Sequence, residues 1–486
     1  MAAESPVGVA FPDDDRGGRG TSAFGRRVAE AALAPVDPVG ARAAASETNW
    51  RSGYLTHYRR LIEGGLGDPA GARTSAVAGA TAVAEGMRWL AESGEDLPLT
   101  EFTEQPAPPV ATAAVHGRGA RVTELAVPVR GELLRGAALL RQLDAWVAAG
   151  VLEPSAAESL RTVAGHPEWL ALPGRTVVAL GAGAEIGPTP TLLRWGATVA
   201  GVDLARPELW ERVVGQAERA AGTLLLPSRG GSDAVPERAG LDLLTELPRV
   251  LGWVAGLDGA LVLGSYLYAD GGTNVRLSAA GDALATALQA RRDDVTTAFL
   301  ATPTDVFAVP GEAVAASVAA YEARSARRKL PGRTLRAVSG GRLLQRAYRP
   351  GADPGICDAL VAQQGPNYAL SKRLQRWRAT SERAAGRPVS MNIAPPTRTR
   401  SVVKNRALAA AYAGAHRFGV EVFDPSTTRV LMAALLVHDL HVSAPSREHP
   451  WQEEAHQAVH GGLWRAAFSP RSALGLAALL GYGASR

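Results

Sequence analysis

Between residues 175 and 301 of this 486-residue chain, short apolar runs alternate with stretches of helical period. An α/β topology accounts for this alternation, because parallel strands need right-handed crossover helices that cover both faces of the sheet. We therefore predict an α/β fold, a Rossmann-like doubly wound parallel sheet with a mostly helical N-terminal region. The predicted strands lie in RTVVALGAG, ATVAGVDLA, GALVLGSYLYA and DVTTAFLA.

Three regions are predicted along the chain. Residues 1–45 are rich in glycine, proline and charge, so we expect them to be poorly ordered. Residues 46–172 show mostly helical patterns, and no chemistry is recognisable in them. Residues 173–486 contain the Rossmann-like NAD(P)-binding domain, with a basic insertion at about 310–364 and a helical C-terminal tail.

The location of the protein is predicted from three absences. No apolar run reaches the roughly 18 residues that a membrane-spanning helix needs. Asp13, Asp14 and Asp15 stand where a signal peptide would carry basic and then apolar residues. Cys357 is the single cysteine, which excludes an internal disulfide framework. We expect a cytoplasmic protein without a membrane partner.

The charge of the chain is uneven. Residues 324–406 contain 19 Lys+Arg and three acids, a net charge of +16, whereas the whole chain carries +5 and the remainder therefore about −11. Such asymmetry indicates an anionic partner, which we take to be a phosphate-bearing cofactor or an anionic small-molecule substrate, although a solvated basic surface is the alternative. Nucleic acid is disfavoured, because this region has few aromatic residues for base stacking.

A glycine-rich turn follows the first strand of the alternating region. Gly181, Gly183 and Gly187 allow close approach of the backbone to a phosphate, and the second strand ends at Asp203, an acceptor for ribose hydroxyls. We predict that these four residues bind NAD or NADP. An acid at this position repels a 2′-phosphate and slightly favours NAD, while nearby Arg206 weakens the preference.

Two other functions share this pattern. An S-adenosylmethionine-dependent methyltransferase has a similar loop and acid, but usually carries an acid two residues before the first glycine, where this chain has Ala179. A non-catalytic Rossmann-like binding protein would keep the turn without the chemistry.

Tyr368 and Lys372 stand four residues apart in GPNYALSKRLQRW, although the chain contains only nine tyrosines and three lysines. On a helix this spacing places both side chains on one face. A nearby ammonium favours a phenolate, so we expect Lys372 to lower the tyrosine pKa and prepare it for proton transfer. A compact ammonium also suits ribose hydroxyls better than a guanidinium does.

The stretch Tyr368-Ala-Leu-Ser-Lys372 resembles the active-site helix of the short-chain dehydrogenases/reductases. Residues 389–399 are similar to the family's strand and turn beside the nicotinamide, which would bring Pro395 to the cofactor. LDLLTELPRVLGWV is similar to the segment after the third strand, making Asp242 an adenine contact. The resemblance covers residues 173–437 and implies an NAD(P)-dependent oxidoreductase acting on a carbonyl or alcohol. The basic excess of residues 324–406 adds the expectation of an anionic or thioester-linked substrate.

The chain departs from the family pattern in three ways. Glu185 replaces the middle glycine of the turn, and about 55 additional residues precede the active-site helix. The usual serine before the tyrosine is missing. Thr302 or Thr304 would supply its hydroxyl if the insertion follows the fifth strand, with Ser265 as a further candidate.

Five of the nine histidines lie near the C-terminus, at 438, 441, 449, 456 and 460. The order His-Glu-x-x-His is absent, and we predict capping and core-edge roles rather than a metal site. The terminal apolar stretch SPRSALGLAALLGYG closes the fold or forms an interface in a homo-oligomer; the sequence does not separate the two.

Overall fold

The structure is a computed structural model that describes residues 7–13, 18–231, 233–324, 334–443 and 446–483. The strands are β1 Gly8–Ala10, β2 Arg88–Leu90, β3 Asp96–Pro98, β4 Ala111–His116, β5 Ala126–Val129, β6 Glu132–Arg135, β7 Arg175–Leu180, β8 Thr198–Val202, β9 Thr223–Ser228, β10 Ala260–Ser265, β11 Val295–Ala301, β12 Val306–Val309, β13 Gly355–Asp358 and β14 Val389–Ile393. The helices are α1 Thr21–Leu33, α2 Pro38–Ala45, α3 Trp50–Gly65, α4 Pro69–Gly86, α5 Gly136–Ala148, α6 Pro154–Gly165, α7 Thr189–Trp195, α8 Pro207–Glu218, α9 Leu247–Ala255, α10 Gly272–Gln289, α11 Gly311–Glu322, α12 Gly365–Ala384, α13 Arg400–Lys404, α14 Arg406–Gly414, α15 Pro425–His441, α16 Pro450–Ala455 and α17 Pro470–Gly481.

A seven-stranded sheet has the order β14-β11-β10-β7-β8-β9-β4. The pairs from β14 to β9 are parallel, and β4 joins β9 antiparallel at the edge. The chain runs outward from β7 through β8 to β9 and then returns to β10, so the strand order reverses between β7 and β10. This is the doubly wound order with its topological switch point. The predicted α/β, Rossmann-like fold is confirmed.

Helices cover both faces of the sheet. One face packs on α1, α3, α4, α9, α10 and α12, and the other on α5, α6, α7, α8 and α15. All seven residues of β11 are therefore buried, whereas edge strand β4 alternates between buried and more exposed residues. Near-continuous apolar runs are expected for strands covered on both faces, because neither side of the strand meets water.

The N-terminal region differs from the prediction. Residues 1–6 and 14–17 lie outside the described residues, but α1 and α2 fall within the stretch expected to be poorly ordered. Alanines, leucines and Phe24 of α1 form an apolar face, and the 1% exposed ring of Phe24 packs on Phe11. The sequence analysis missed this amphipathic helix because the residues that precede it are rich in glycine and charge.

The boundary predicted at residue 173 also differs from the structure. The region 46–172 contains β2 to β6 in addition to its helices, and β4 belongs to the central sheet. Helix α4 packs on α12, where Gly79 meets the ring of Trp377. The N-terminal region therefore shares the hydrophobic core of the Rossmann-like sheet.

The insertion follows β11 directly. Strands β12 and β13 pair antiparallel and are connected through α11, so the inserted structure begins at Val306 rather than at about 310. Residues 325–333 of the predicted basic insertion lie outside the described residues. Phe307 of β12 packs on Trp464, which joins the insertion to the C-terminal tail. Within the described ranges, the helices are too short or too polar to cross a membrane.

Candidate active site

The predicted site residues lie at the edge of the sheet where the parallel strands end. Gly181 follows β7, Asp203 follows β8, Thr302 follows β11 and Pro395 follows β14. Strands β7 and β11 are separated by β10 alone, so Gly181 and Thr302 are about 10 Å apart across the sheet, with Thr302 about two residues further along the strand direction. In doubly wound sheets this edge, at the switch point, is where ligands bind.

The glycine turn is held by the acid predicted to bind ribose. Gly181 has a φ of +86°, and a Cβ there would lie 3.1 Å from the carbonyl oxygen of Tyr266. The Asp203 carboxylate accepts the Gly183 amide at 2.9 Å and the Leu204 amide at 2.8 Å. Burial raises the pKa of Asp203. Each carboxylate oxygen keeps a further lone pair, so Asp203 can brace the turn and still accept from a ribose hydroxyl.

Glu185 does not face the place expected for a pyrophosphate. Its carboxylate accepts the backbone amide of Arg400 at 2.9 Å, and its carbonyl accepts from Arg429 Nη2 at 2.7 Å. The amides of Glu185 and Ile186 donate to no acceptor within the described part of the chain. The turn therefore offers two free N–H groups, which is the feature that a phosphate requires of it.

Positive charge surrounds the turn. The Arg212 guanidinium donates to the carbonyl of Gly183 at 3.3 Å, and burial together with Arg194 and Arg212 lowers the pKa of Arg429. Three guanidinium groups thus influence one turn, against the single carboxylate of Glu185 that is turned toward Arg400. An anion bound at the turn would offset this repulsion.

Gly187 and Asp242 have structural partners in this protein. A Cβ at Gly187 would lie 3.2 Å from the side chain of Ala184, so the glycine allows the turn to close tightly. The Asp242 carboxylate accepts the amide of Leu244 at 2.8 Å and caps the turn before α9. Asp242 is half-buried and has Arg276 as a charged neighbour.

The phenol of Tyr368 lies next to the hydroxyl groups of the two predicted threonines. The Tyr368 phenol lies beside Thr302, whose hydroxyl lies 2.8 Å from that of Thr304. Thr304 in turn donates to Gln364 Oε1 at 3.0 Å. The insertion does follow β11, the fifth parallel strand in chain order, so Thr302 reaches the tyrosine although 66 positions separate their numbers.

The environment of Tyr368 differs from the expectation. Burial raises the pKa of Tyr368, Thr302 opposes the rise, and Asp305 adds to it. Lys372 is not among these influences, because its ammonium turns away to donate to the Leu300 carbonyl at 3.0 Å and to Gln375 Oε1 at 3.1 Å. The expected lowering of the phenol pKa by Lys372 is therefore not what the structure shows. The phenol is protonated at neutral pH.

Lys372 is held by a residue that the sequence analysis missed. Gln375 lies one helical turn after Lys372 on α12, and its amide nitrogen donates to the hydroxyl of Ser265 at 3.2 Å. Ser265 therefore supports the lysine rather than the tyrosine. The i,i+3 spacing of Lys372 and Gln375 was a readable signal. Burial lowers the pKa of Lys372 to about 8.

Aromatic residues and the turn after β14 border the tyrosine. The rings of Tyr268 and Tyr368 meet edge to face with centroids 6.2 Å apart. Pro395 is buried, and its carbonyl accepts from the Thr397 hydroxyl at 2.8 Å. The structure thus brings Tyr368, Thr302, Thr304 and Pro395 to the same strand edge.

The basic region is partly neutralised by acids, most of them from elsewhere in the chain. On α12, Arg373 and Arg376 both pair with Asp305 at 2.6 Å, and Arg376 also pairs with Glu454 at 2.6 Å. Arg378 of the same helix pairs with Asp282 at 2.6 Å. The +16 counted along the sequence therefore overstates the field at the site and weakens the charge argument for an anionic substrate.

The histidines have structural partners. His460 is buried and lies 2.9 Å from Glu153, which also pairs with Arg465, while His449 accepts the amide of Trp451 to cap α16. Within the described ranges, no group of three or more His, Cys, Asp or Glu side chains is arranged to hold a metal ion.

Comparison with known proteins does not show a family for this chain. No protein-family model matches the sequence, and no curated protein matches it. Among solved structures, a thiolation-reductase di-domain from an archaeal non-ribosomal peptide synthetase is similar at 11% identity and a TM-score of 0.28. The match covers 50% of this chain and 47% of that one, so the chain spans about half of the neighbour's length. A likeness this slight carries no argument here; the fold rests on the sheet order.

Proposed function

We propose that this protein is an NAD(P)H-dependent reductase of carbonyl compounds, of the short-chain dehydrogenase/reductase type. The observation that carries the proposal is the proximity of the Tyr368 phenol to Thr302 and Thr304 at the carboxyl edge of the sheet, two strands across from the glycine turn. A buried, protonated phenol is a proton donor, so we infer the reductive direction.

The residues at the switch point fit a dinucleotide. The free amides of Glu185 and Ile186 and the guanidinium of Arg212 would hold the pyrophosphate, and Asp203 would accept from the adenosine ribose. The Lys372 ammonium has three N–H groups, of which two are engaged, and the third is left for the nicotinamide ribose. When bound, the dinucleotide supplies a hydride.

The chain's own part in the reaction is to hold the carbonyl oxygen and to move one proton. Tyr368 transfers its proton to that oxygen as a C–H bond forms at the carbonyl carbon and the π bond breaks, and Thr302, whose own hydroxyl proton is donated to Thr304, lies beside the phenol as an acceptor. The carbonyl is reduced to an alcohol by the hydride that the dinucleotide would supply, and the phenol regains a proton from solvent.

The test is a titration of the purified protein with NADH and NADPH, followed through the fluorescence of its ten tryptophans. We expect saturable binding of at least one dinucleotide, weakened about three- to tenfold by Arg212→Gln because one charge near the pyrophosphate is lost. Arg219→Gln, an exposed arginine after the same helix, is the matched control and should leave binding unchanged.

Three results would contradict the proposal. Absence of binding of either dinucleotide up to millimolar concentration would exclude the reductase. Binding of S-adenosylhomocysteine in its place would favour a methyltransferase. Dinucleotide binding with no oxidation of NAD(P)H by any of a series of simple aldehydes and ketones would instead favour a non-catalytic binding protein.

A further inference from the structure

An apolar cavity adjoins the proposed site. It has a volume of about 70 Å³ and lies between α14, α17 and the turns after β11, β13 and β14. Thr304 is part of its wall, and the Thr304 hydroxyl is 2.8 Å from that of Thr302. Pro396, the neighbour of Pro395, forms another part. The cavity therefore begins where the carbonyl oxygen of a substrate would be held.

The chemistry of the walls excludes a charged occupant. Apart from Thr304, Tyr412 and Arg471, the described side chains that line the cavity are aliphatic, aromatic or proline. Arg471 is already paired with Asp358 at 2.7 Å, so it offers no free charge. Burial of an unpaired carboxylate or phosphate in such surroundings is strongly unfavourable, whereas a hydrocarbon group gains from leaving water.

Close packing of two helices fixes the walls. A Cβ at Gly414 of α14 would lie 2.0 Å from the carbonyl oxygen of Ala477, and a Cβ at Gly481 of α17 would lie 2.0 Å from that of Ala410. The backbones are therefore in contact at the glycines. The small side chains of Ala411 and Ala473 on these helices leave the space open beside them.

The volume limits the length of the occupant. A cavity of about 70 Å³ is roughly half of the ~150 Å³ that takes a benzene ring, and a water-sized group occupies about 30 Å³. Two or three methylene-sized groups fill it. A long acyl chain or an aromatic ring does not fit unless the helices separate.

We infer that this cavity holds a short, uncharged aliphatic substituent of the carbonyl substrate, so that the enzyme selects small linear aldehydes or ketones. The inference rests on the proposed function for the identity of the reacting group. It differs from the expectation of an anionic substrate, because the lysines and arginines described in residues 324–406 are not part of the cavity wall, and Arg471, which is, pairs with Asp358.

The first measurement is kcat/KM for linear aldehydes from ethanal to octanal with NADH or NADPH. We expect a rise of about fourfold per methylene group up to butanal or pentanal, then no further gain or a fall.

Ala411→Leu fills the cavity and should lower kcat/KM for butanal at least tenfold while changing that for ethanal less than threefold. Ala407→Leu, one turn earlier on α14 and exposed, is the matched control and should change neither value. Equal kcat/KM along the series in both proteins overturns the inference while leaving the reductase proposal intact.

The second measurement does not depend on activity. Binding of 1-butanol to the free protein is followed by saturation-transfer NMR, and Ala411→Leu should abolish the signal that wild type and Ala407→Leu retain. If neither dinucleotide binds but this pattern is seen, the reductase proposal fails and the apolar site stands. If butanol gives the same signal in all three proteins, the cavity is not its site and the inference fails.

Discussion

At the scale of single residues, the site combines groups whose protonation is set by burial. Burial disfavours the phenolate, so Tyr368 stays protonated. Burial also disfavours the ammonium of Lys372 and lowers its pKa. The pair Tyr368 and Lys372 was visible in the sequence as a spacing. Of their partners, Gln375 stands at a readable i,i+3 spacing from Lys372, and Thr302 was a candidate through the family resemblance. The backbone carbonyl of Leu300 is distant in sequence, so no local pattern revealed it.

The buried ammonium of Lys372 is expected to destabilise the fold at neutral pH. The pKa falls from 10.5 in the unfolded chain to about 8 in the folded protein, so the unfolded state holds more protons between these pH values and stability rises with pH. Lys372→Met should therefore raise the free energy of unfolding at pH 7 by about 1 kcal/mol, the ~3 kcal/mol of relieved burial being partly offset by two lost hydrogen bonds.

Urea unfolding at pH 7 and pH 10 measures this effect. The gain in the free energy of unfolding of Lys372→Met should shrink toward pH 10. Lys404 is exposed, so Lys404→Met should change this free energy little at either pH. A Lys372→Met protein less stable than wild type at pH 7 would show that the hydrogen bonds of the ammonium outweigh its desolvation.

At the scale of elements, α12 is tied to the loop that carries the threonines by buried charge. Asp305 follows Thr304 and accepts from both Arg373 and Arg376, and all three side chains are about 98% buried or more. The position of Tyr368 relative to Thr302 therefore depends on this triad. The sequence showed α12 as strongly basic. One acid that neutralises it, Glu382, is on the helix itself, but the others come from residues 282, 305, 453 and 454, which only tertiary packing brings to it.

Loss of Asp305, the acid shared by Arg373 and Arg376, should strongly destabilise the fold. Asp305→Asn leaves the buried Arg373 without a charged partner and Arg376 with Glu454 alone, so we expect a loss of about 3–5 kcal/mol in the free energy of unfolding. Glu63→Gln, which removes the acid of the exposed pair with Arg59, should cost less than about 0.5 kcal/mol. Denaturant midpoints of both variants measure the difference, and similar small losses would mean that water reaches the triad.

The packing of α14 on α17 requires glycine at position 414 but not at position 475. Gly414→Ala places a methyl group against the backbone of Ala477, so we expect the thermal midpoint to fall by several degrees. Gly475, within α17, has open space around its Cβ position, and Gly475→Ala should stabilise by about 0.5–1 kcal/mol through helix propensity. Equal effects of the two substitutions would contradict the described contact.

At the scale of the whole molecule, the N-terminal region belongs to the main core. The sequence predicted the Rossmann-like sheet because each buried strand is a local apolar run, and four of its strands were located that way. Strand β4 could not be found, since it lies 107 or more residues from its partner β9 and alternates like any edge strand. Helices α1 and α2 were missed because their apolar faces are built from alanine, valine and a few large residues.

The place of α1 in the core gives a direct test. Phe24 is 1% exposed within the same cluster as β7 and α12 residues, so Phe24→Ala should cost about 3–5 kcal/mol. Val39 of α2 is 60% exposed, and Val39→Ala should change stability by less than about 0.5 kcal/mol. A single cooperative unfolding transition shifted by Phe24→Ala is expected; a separate small transition would show an independent N-terminal unit.

The central claim, that Tyr368 gives the proton in a carbonyl reduction, is tested most directly by the rate of NAD(P)H oxidation in Tyr368→Phe with a saturating aldehyde. We predict a fall of about 10²–10⁴-fold in kcat with dinucleotide affinity unchanged, because the phenol supplies the proton and does not anchor the cofactor. Tyr58→Phe is the matched control, since its buried hydroxyl has no hydrogen-bond partner in the described structure, and should keep full activity. A Tyr368→Phe protein that turns over as fast as Tyr58→Phe would contradict the mechanism.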